Sequence, residues 1–195
     1  MVAAMDEARV FGEFPLLSTA RLRLRELRPK DAPAANALFS DPQVMRYVGR
    51  PVHKSQEDTI RSIEGNRVKF PNKEGVHWAL TLHQDDRFIG SCCYWHLMKE
   101  HHRAEIGYDL LPLYWGQGLM CEALTAVLRY GFEVMELHST EAQIDPDNLR
   151  SRRVLERLGF RQDGLIRENY FFEGRYTDTA IFTLLRREFL GAAAG

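Results

Sequence analysis

In the segment Leu16 to Leu27, Leu22, Leu24 and Leu27 alternate with Arg21, Arg23 and Arg25. This is close to the two-residue period of a half-buried strand, and a first strand is expected there. The Ala-rich stretch Asp31 to Phe39 follows Pro29 and Lys30 and stops before Asp41-Pro42, which predicts a helix behind an acidic first turn. A second helix is expected after Ser55, because Asp58 three residues on completes a capping box and Ile60, Ile63 and Val68 recur at near-helical spacing. His77 to His83 and Arg87 to His96 read as two strands joined at Gln84-Asp85-Asp86, and Arg103 to Leu110 continues the meander. The longest periodic helix runs from Leu119 to Met135, with Ala123, Leu124, Val127, Leu128 and Phe132 on one stripe. Leu137 to Ile144 is strand-like, Asn148 to Leu158 is helical and stopped by Gly159, and two last strands flank Glu173-Gly174. This order predicts an α/β fold with one mixed sheet.

Composition narrows the picture by exclusion. The chain has 195 residues, and at about 150 residues per domain that is room for one. Lys plus Arg (26) nearly balance Asp plus Glu (27), so the global positive field of a dedicated nucleic-acid binder is missing and direct nucleic-acid binding is not expected. Apolar residues at 45% and charged residues at 27% exclude a disordered or collagen-like chain. No run approaches the ~18 apolar residues of a membrane helix, and Asp6, Glu7 and Arg9 stand where a signal peptide needs an apolar stretch, so a cytoplasmic location without membrane contact is expected. Cys92, Cys93 and Cys121 make neither a disulfide framework nor a paired zinc spacing, and no metal is expected.

The segment from Glu105 to Leu124, EIGYDLLPLYWGQGLMCEAL, carries the most chemistry. A strand runs through Gly116 and Gly118 into the start of the long helix, where unpaired N–H groups and the positive end of the helix dipole favour a phosphate. A plain connector uses glycine for steric reasons too. The glycines are not a Walker loop, because no Lys-Ser or Lys-Thr follows, and not a dinucleotide fingerprint, because Cys121 stands at the third glycine position.

The separated blocks LSTARLRLRELRPKDA, SDPQVMRYVG, FIGSCCYWH, AEIGYDLLPLYWGQGLMCEAL, DPDNLRSRRVLERLGF and DGLIRENYFFEGRYTDTAIFTLLRREF, in that order, resemble the GCN5-related N-acetyltransferase superfamily, in particular its ribosomal-protein-alanine (Rim-type) branch. The resemblance implies a single acetyltransferase domain over residues 16–188, with 1–15 and 189–195 as terminal extensions. It also implies a twisted, mostly antiparallel sheet of about seven strands flanked by about four helices. Acetyl-CoA would be the donor and a primary amine the acceptor. A protein N-terminal α-amino group is the first expectation, with a small-molecule amine or a non-catalytic CoA-binding sensor as alternatives, and a homodimer is compatible with the branch. Trp115, Gly116, Gln117, Gly118, Leu119 and Met120 would wrap the pyrophosphate, Met120 standing where the pattern has glycine or alanine. Leu110 and Leu111 would pair with the pantetheine amides like an added strand.

In the helix block, Asn148 is either a CoA contact or an N-cap. The tyrosine that protonates the leaving thiolate in many members is Leu155 here, which leaves Ser151 as the substitute acid. Glu105 is the candidate general base, with a strand-edge charge or a partner for Arg103 as the alternative. An α-amino group titrates near 8 and a lysine near 10.4, so an N-terminal acceptor needs less help from a base. Elsewhere Cys121 reads as a small buried residue rather than a nucleophile, and His96, His101 and His102 as a solvated loop. Tyr108 and His138 read as structural. The helix carrying Arg150, Arg152, Arg153 and Arg157, with Arg161 after it, is either a solvated face or a contact to the 3'-phosphate of CoA.

Overall fold

The computed structural model describes residues 5–192. Asp6 caps its first element, α1 (Glu7–Phe11), by accepting the Arg9 N–H at 3.1 Å. Residues 5–15 pack onto the rest of the fold. Met5, Val10 and Phe11 are buried in its main core, Phe14 packs against it, and the Trp78 indole N–H donates to the Pro15 carbonyl at 2.7 Å.

The first leucine–arginine segment is two strands rather than one. Thr19 folds it back: its hydroxyl accepts the Leu22 N–H at 3.0 Å while its own N–H donates to the Leu22 carbonyl at 2.9 Å. β1 (Leu17–Ser18) thus pairs antiparallel with β2 (Leu22–Glu26), Leu17 opposite Leu24. Three helices follow, α2 (Ala32–Phe39), α3 (Pro42–Met45) and α4 (Gln56–Arg67), and the expected Ser55–Asp58 capping box opens the last. Then come the strands β3 (Val76–Leu82), β4 (Phe88–Met98) and β5 (Arg103–Leu110), and the long helix α5 (Leu119–Glu133). The chain continues with β6 (Ser139–Ile144), α6 (Leu149–Arg157), β7 (Arg161–Phe172), β8 (Arg175–Leu185) and α7 (Arg186–Ala192).

Eight strands stand where about seven were expected, because Thr19 splits the first. Seven α-helices among the described residues replace about four, since α1, α3 and α7 are only 5, 4 and 7 residues long and too short to show a period. The strands form one sheet in the order β1-β2-β3-β4-β5-β6-β8-β7, and every neighbouring pair is antiparallel except β5 and β6.

That exception makes a fork. β5 pairs parallel with β6 only from Arg103 to Glu105, opposite Ser139 to Glu141, while it stays paired with β4 as far as Leu110. Beyond Glu105 the two strands part. The Leu111 N–H donates to the Ile89 carbonyl on the β4 side at 2.9 Å, and antiparallel alternation therefore turns the peptide groups of Tyr108 and Leu110 into the fork.

Side chains alternate across the sheet in the same way. Ala104, Ile106 and Leu110 join the core beneath α5, with Leu119, Leu124, Val127 and Phe132. Glu105, Gly107 and Asp109 face the other side, where α2 and α4 pack a second core around Leu38, Ile63, Ala79 and Phe88. Near that core, the Arg25 guanidinium is 1% exposed and forms a two-pronged pair with Asp31 at 2.8 Å, plus a 2.8 Å bond to Asp86. It ties β2 to the start of α2 and to the β3–β4 turn.

Candidate active site

The turn between β5 and α5 leaves its backbone amides open. Gly116 and Gly118 have φ of +73° and +75°, the left-handed region that side chains avoid. Nothing lies within 4 Å of where a Cβ on Gly116 would be, and only Arg21 Nη2, at 3.8 Å, approaches that of Gly118. The first N–H of α5 to find a carbonyl is that of Glu122, to Gly118 at 3.1 Å. The N–H groups of Leu119, Met120 and Cys121 thus open from the helix end, with the dipole behind them. Leu119 and Met120 bury their side chains in the core, so the bulk of Met120 stays clear of the turn. Gln117 is exposed and its side-chain amide donates to the Leu113 carbonyl at 2.9 Å.

A cleft of about 500 Å³ lies along this turn, lined by Arg21, Gly116, Gln117, Gly118, Cys121 and Arg157 among others. Arg21 also donates to the Gln117 carbonyl at 3.0 Å and pairs with Glu122 at 2.6 Å, which neutralises the one carboxylate in the first turn. Trp115 bridges the turn and the strand: its indole N–H donates to the Leu110 carbonyl at 2.7 Å, and the Arg150 guanidinium lies over its ring at 4.2 Å. Leu111 leans on the second core.

Across the fork, Asn148 caps α6 by accepting the Ser151 N–H at 3.1 Å, which fits the structural half of its expected role. Ser151 meets Tyr108 of β5, hydroxyl to hydroxyl at 2.6 Å. Burial raises the Tyr108 phenol far above its ordinary range, so it keeps its proton. Leu155 is fully buried in the core. Sequence reasoning assigned Tyr108 to packing; nothing in the strand period shows that its ring reaches the first turn of a helix over forty residues on.

On the opposite face of β5, Glu105 is 8% exposed and accepts a hydrogen bond at 3.0 Å from, or pairs with, His96 Nδ1. Its partner is not Arg103, which reaches Glu141 at 2.6 Å instead. Burial raises the Glu105 carboxyl and the His96 contact opposes that. His96 belongs to the end of β4, not to a solvated loop: a bulge puts it at φ +44°, stacked on Trp95 with ring centroids 3.8 Å apart. Four residues along, one oxygen of Asp109 accepts both the N–H and the hydroxyl of Ser91, at 2.9 and 2.8 Å. Burial pushes its carboxyl up to about 6 against these bonds and the charge of Arg50.

Between the two carboxyls stands Gly107, where a Cβ would meet Cys93 Sγ at 3.1 Å and Trp95 Nε1 at 3.8 Å, so the strands pack closely there. The segment joining α3 to α4 meets the β7–β8 hairpin where the Tyr170 hydroxyl donates to the Gly49 carbonyl at 2.6 Å.

Cys121 is half-buried and its thiol is raised by burial, and burial pushes Cys93 up to about 12, so neither is a ready nucleophile. Among the described residues no group of three or more His, Cys, Asp or Glu is placed to hold a metal ion, and no helix is long and apolar enough to cross a membrane. The arginines of α6 divide their roles: Arg150 covers Trp115, Arg152 lies over Phe182, and Arg157 lines the cleft.

Comparison with known proteins agrees with this geometry. Residues 21–161 match the family model described as an acetyltransferase (GNAT) domain. A Bacillus subtilis protein named as an uncharacterized N-acetyltransferase, YoaA, is 33% identical over 173 residues, which span 89% of this chain and 98% of the relative. The Escherichia coli [ribosomal protein uS5]-alanine N-acetyltransferase is 35% identical over 83 residues, 43% of each chain. Among solved structures, a GNAT-family acetyltransferase from Bacillus anthracis superposes with a TM-score of 0.80 at 28% identity, covering 89% of this chain and all of that one. The family uses acetyl-CoA as its donor. This chain, forked at β5 and opening into a glycine cradle, belongs to the GNAT family of acetyl-CoA-dependent N-acetyltransferases.

Proposed function

We propose that the protein transfers the acetyl group of acetyl-CoA to the α-amino group at the N-terminus of a protein, by direct attack in a ternary complex. The observation that carries this reading is the pair of carboxyls, buried Glu105 and half-buried Asp109, on the face of β5 opposite the α5 core, both raised by burial. A carboxyl of raised pKa takes a proton from an amine of pKa near 8 at modest cost, whereas a lysine near 10.4 asks about two further units of it. The relation to the Escherichia coli enzyme, whose name states a ribosomal-protein alanine as acceptor, supports the same class.

In this reading the N–H groups from Gly116 to Met120, with Gln117 exposed among them, hold the pyrophosphate, with Arg21 and Arg157 beside them. Trp115 keeps the turn in place through Leu110, and the open edge at Tyr108 and Leu110, continued by Leu111, takes the pantetheine amides as an added strand. Asn148 fixes the first turn of α6. Glu105, through water, receives the proton that finally leaves for solvent. The neutral amine nitrogen bonds to the acetyl carbon, the carbon–sulfur bond breaks with its electrons going to sulfur, and the Tyr108–Ser151 hydroxyl pair supplies the thiol proton and is refilled by the second proton of the nitrogen. No acetyl-enzyme forms.

Thiol release from acetyl-CoA over a panel of Ala- and Ser-starting peptides, ribosomal proteins and polyamines tests this, alongside calorimetry with CoA. Turnover confined to polyamines would replace the protein acceptor by a small amine. CoA binding with no turnover on any amine would make the chain a sensor.

A further inference from the structure

Resting on that reading, we propose that Asp109 is a catalytic residue: its free carboxylate oxygen binds the acceptor ammonium and takes the first proton from it, while Glu105 acts only at longer range. The argument begins with distance along β5. A strand rises about 3.3 Å per residue, so Glu105 lies about 10 Å from Tyr108 and about 16 Å from Leu110. The peptide edge opens only beyond Glu105, at Tyr108 and Leu110. A thioester lying on that edge is next to Asp109 and out of direct reach of Glu105.

The surroundings of Asp109 are also incomplete without a cation. Oδ1 accepts both bonds from Ser91, and Oδ2 accepts none from any described residue. Among the described residues Asp109 forms no salt bridge, and its side chain is half-buried with Oδ2 left to solvent or a ligand. A partly desolvated carboxylate without a paired cation is not at its most stable, and nothing about packing against Ser91 requires an acid there. The groups that face it are Ser91 and Cys93 on β4, His77 on β3, Glu105 on its own strand, and Arg50 from the segment between α3 and α4. His77 is held neutral, its pKa brought down to about 3, and its Nε2 has no partner. Gly107, between the two carboxyls, carries no side chain to cover Asp109, and a Cβ there would press on Cys93 Sγ at 3.1 Å.

The step balances as follows. The ammonium gives one proton to Asp109 Oδ2 and its lone pair forms the nitrogen–carbon bond. Collapse breaks the carbon–sulfur bond, the second nitrogen proton reaches sulfur by way of the Tyr108–Ser151 hydroxyls so that the thiol forms, and the half-buried Asp109 releases its proton to solvent.

The test uses L-alaninamide and 1,4-diaminobutane as minimal amines at saturating acetyl-CoA, with the wild type and the variants Asp109→Asn and Ser91→Ala. Asp109→Asn keeps an oxygen for Ser91. The expected result is a loss of at least 100-fold in kcat/KM for the amine at pH 7.5, an unchanged Kd for CoA, and partial recovery as pH rises and the amine deprotonates itself. Ser91→Ala should lose less than tenfold. Activity of Asp109→Asn within threefold of wild type, or an equal loss in Ser91→Ala, would overturn the proposal while leaving the acetyltransferase reading intact. A wild type that binds CoA but acetylates neither amine would overturn both. Independently of any variant, the Asp109 side-chain carboxyl resonance in the wild-type CoA complex should move on addition of L-alaninamide; no movement at saturation overturns the assignment.

Discussion

The hydroxyls of Tyr108 and Ser151 stand 2.6 Å apart, one on the strand that leaves the fork and the other in the first turn of the helix that faces it. Neither residue reaches this point without the parting of β5 from β6. With the two on the proposed proton path to sulfur, Tyr108→Phe and Ser151→Ala should each lower kcat by about 10- to 100-fold with little change in CoA affinity. The double variant should lose no more than the worse single one, as expected for groups acting as a unit. Steady-state thiol release on all four proteins measures this, and additive losses would separate their roles.

Gly118 sits at φ +75° with its Cβ position nearly open, so its constraint is backbone conformation rather than space. Gly118→Val should cost about 1–2 kcal/mol in local strain if the turn is kept. The chain relieves that strain by rotating the N–H groups away from the phosphate position. Calorimetry should show CoA affinity reduced at least tenfold in a protein that still unfolds cooperatively.

Glu105 links stability to pH in a defined direction. Its folded pKa is raised, so the native state holds the proton more tightly than the unfolded chain does. That contribution is fully present below the ordinary carboxylate range and is lost as pH rises through the raised folded value. Glu105→Gln should therefore gain on the wild type more at pH 8 than at pH 4.5 in urea unfolding. A pH-independent difference would contradict the burial that sets the shift.

Arg25 and Asp31 are 2% and 4% exposed at their side chains. Asp31→Ala leaves the guanidinium buried with Asp86 alone and should cost about 3–5 kcal/mol. Lys30→Ala removes only an exposed partner of Asp86 and should cost under about 1 kcal/mol. Chemical denaturation of the two variants makes the comparison.

Deleting residues 1–15 removes Val10 and Phe11 from the core and the acceptor of the Trp78 indole. At about 1.5–3 kcal/mol per large apolar side chain, plus an orphaned buried donor, several kcal/mol should be lost. A midpoint unchanged in urea would show that this segment does not contribute.

Where periodicity was long, the chain was readable: the α5 stripe, the Ser55–Asp58 box and the glycine turn all stand where the residues point. Short elements were not, because α3 has four residues and cannot display a helical period. Thr19 hid in an apparently continuous alternation, since only tertiary structure decides whether a threonine hydroxyl closes a turn or faces solvent. The apolar residues Val10 and Phe11 were visible but looked like a tail, as five residues of helix carry no sign of what they pack on. The site divides in the same way. Local geometry at Gly116 and Gly118 is written in residue type, whereas Tyr108–Ser151 and Glu105–His96 are contacts between elements, set by the fork and by a bulge.

The fork also makes ligation legible one amide at a time. Peptide N–H groups of β5 that face β4 are tied into the ladder, whereas those of Tyr108 and Leu110 open away from it. In hydrogen–deuterium exchange the strand should show alternating fast and slow positions, and a bound pantetheine arm should abolish the alternation. Protection at those two amides would then count occupancy of the site directly, with no need for a known acceptor.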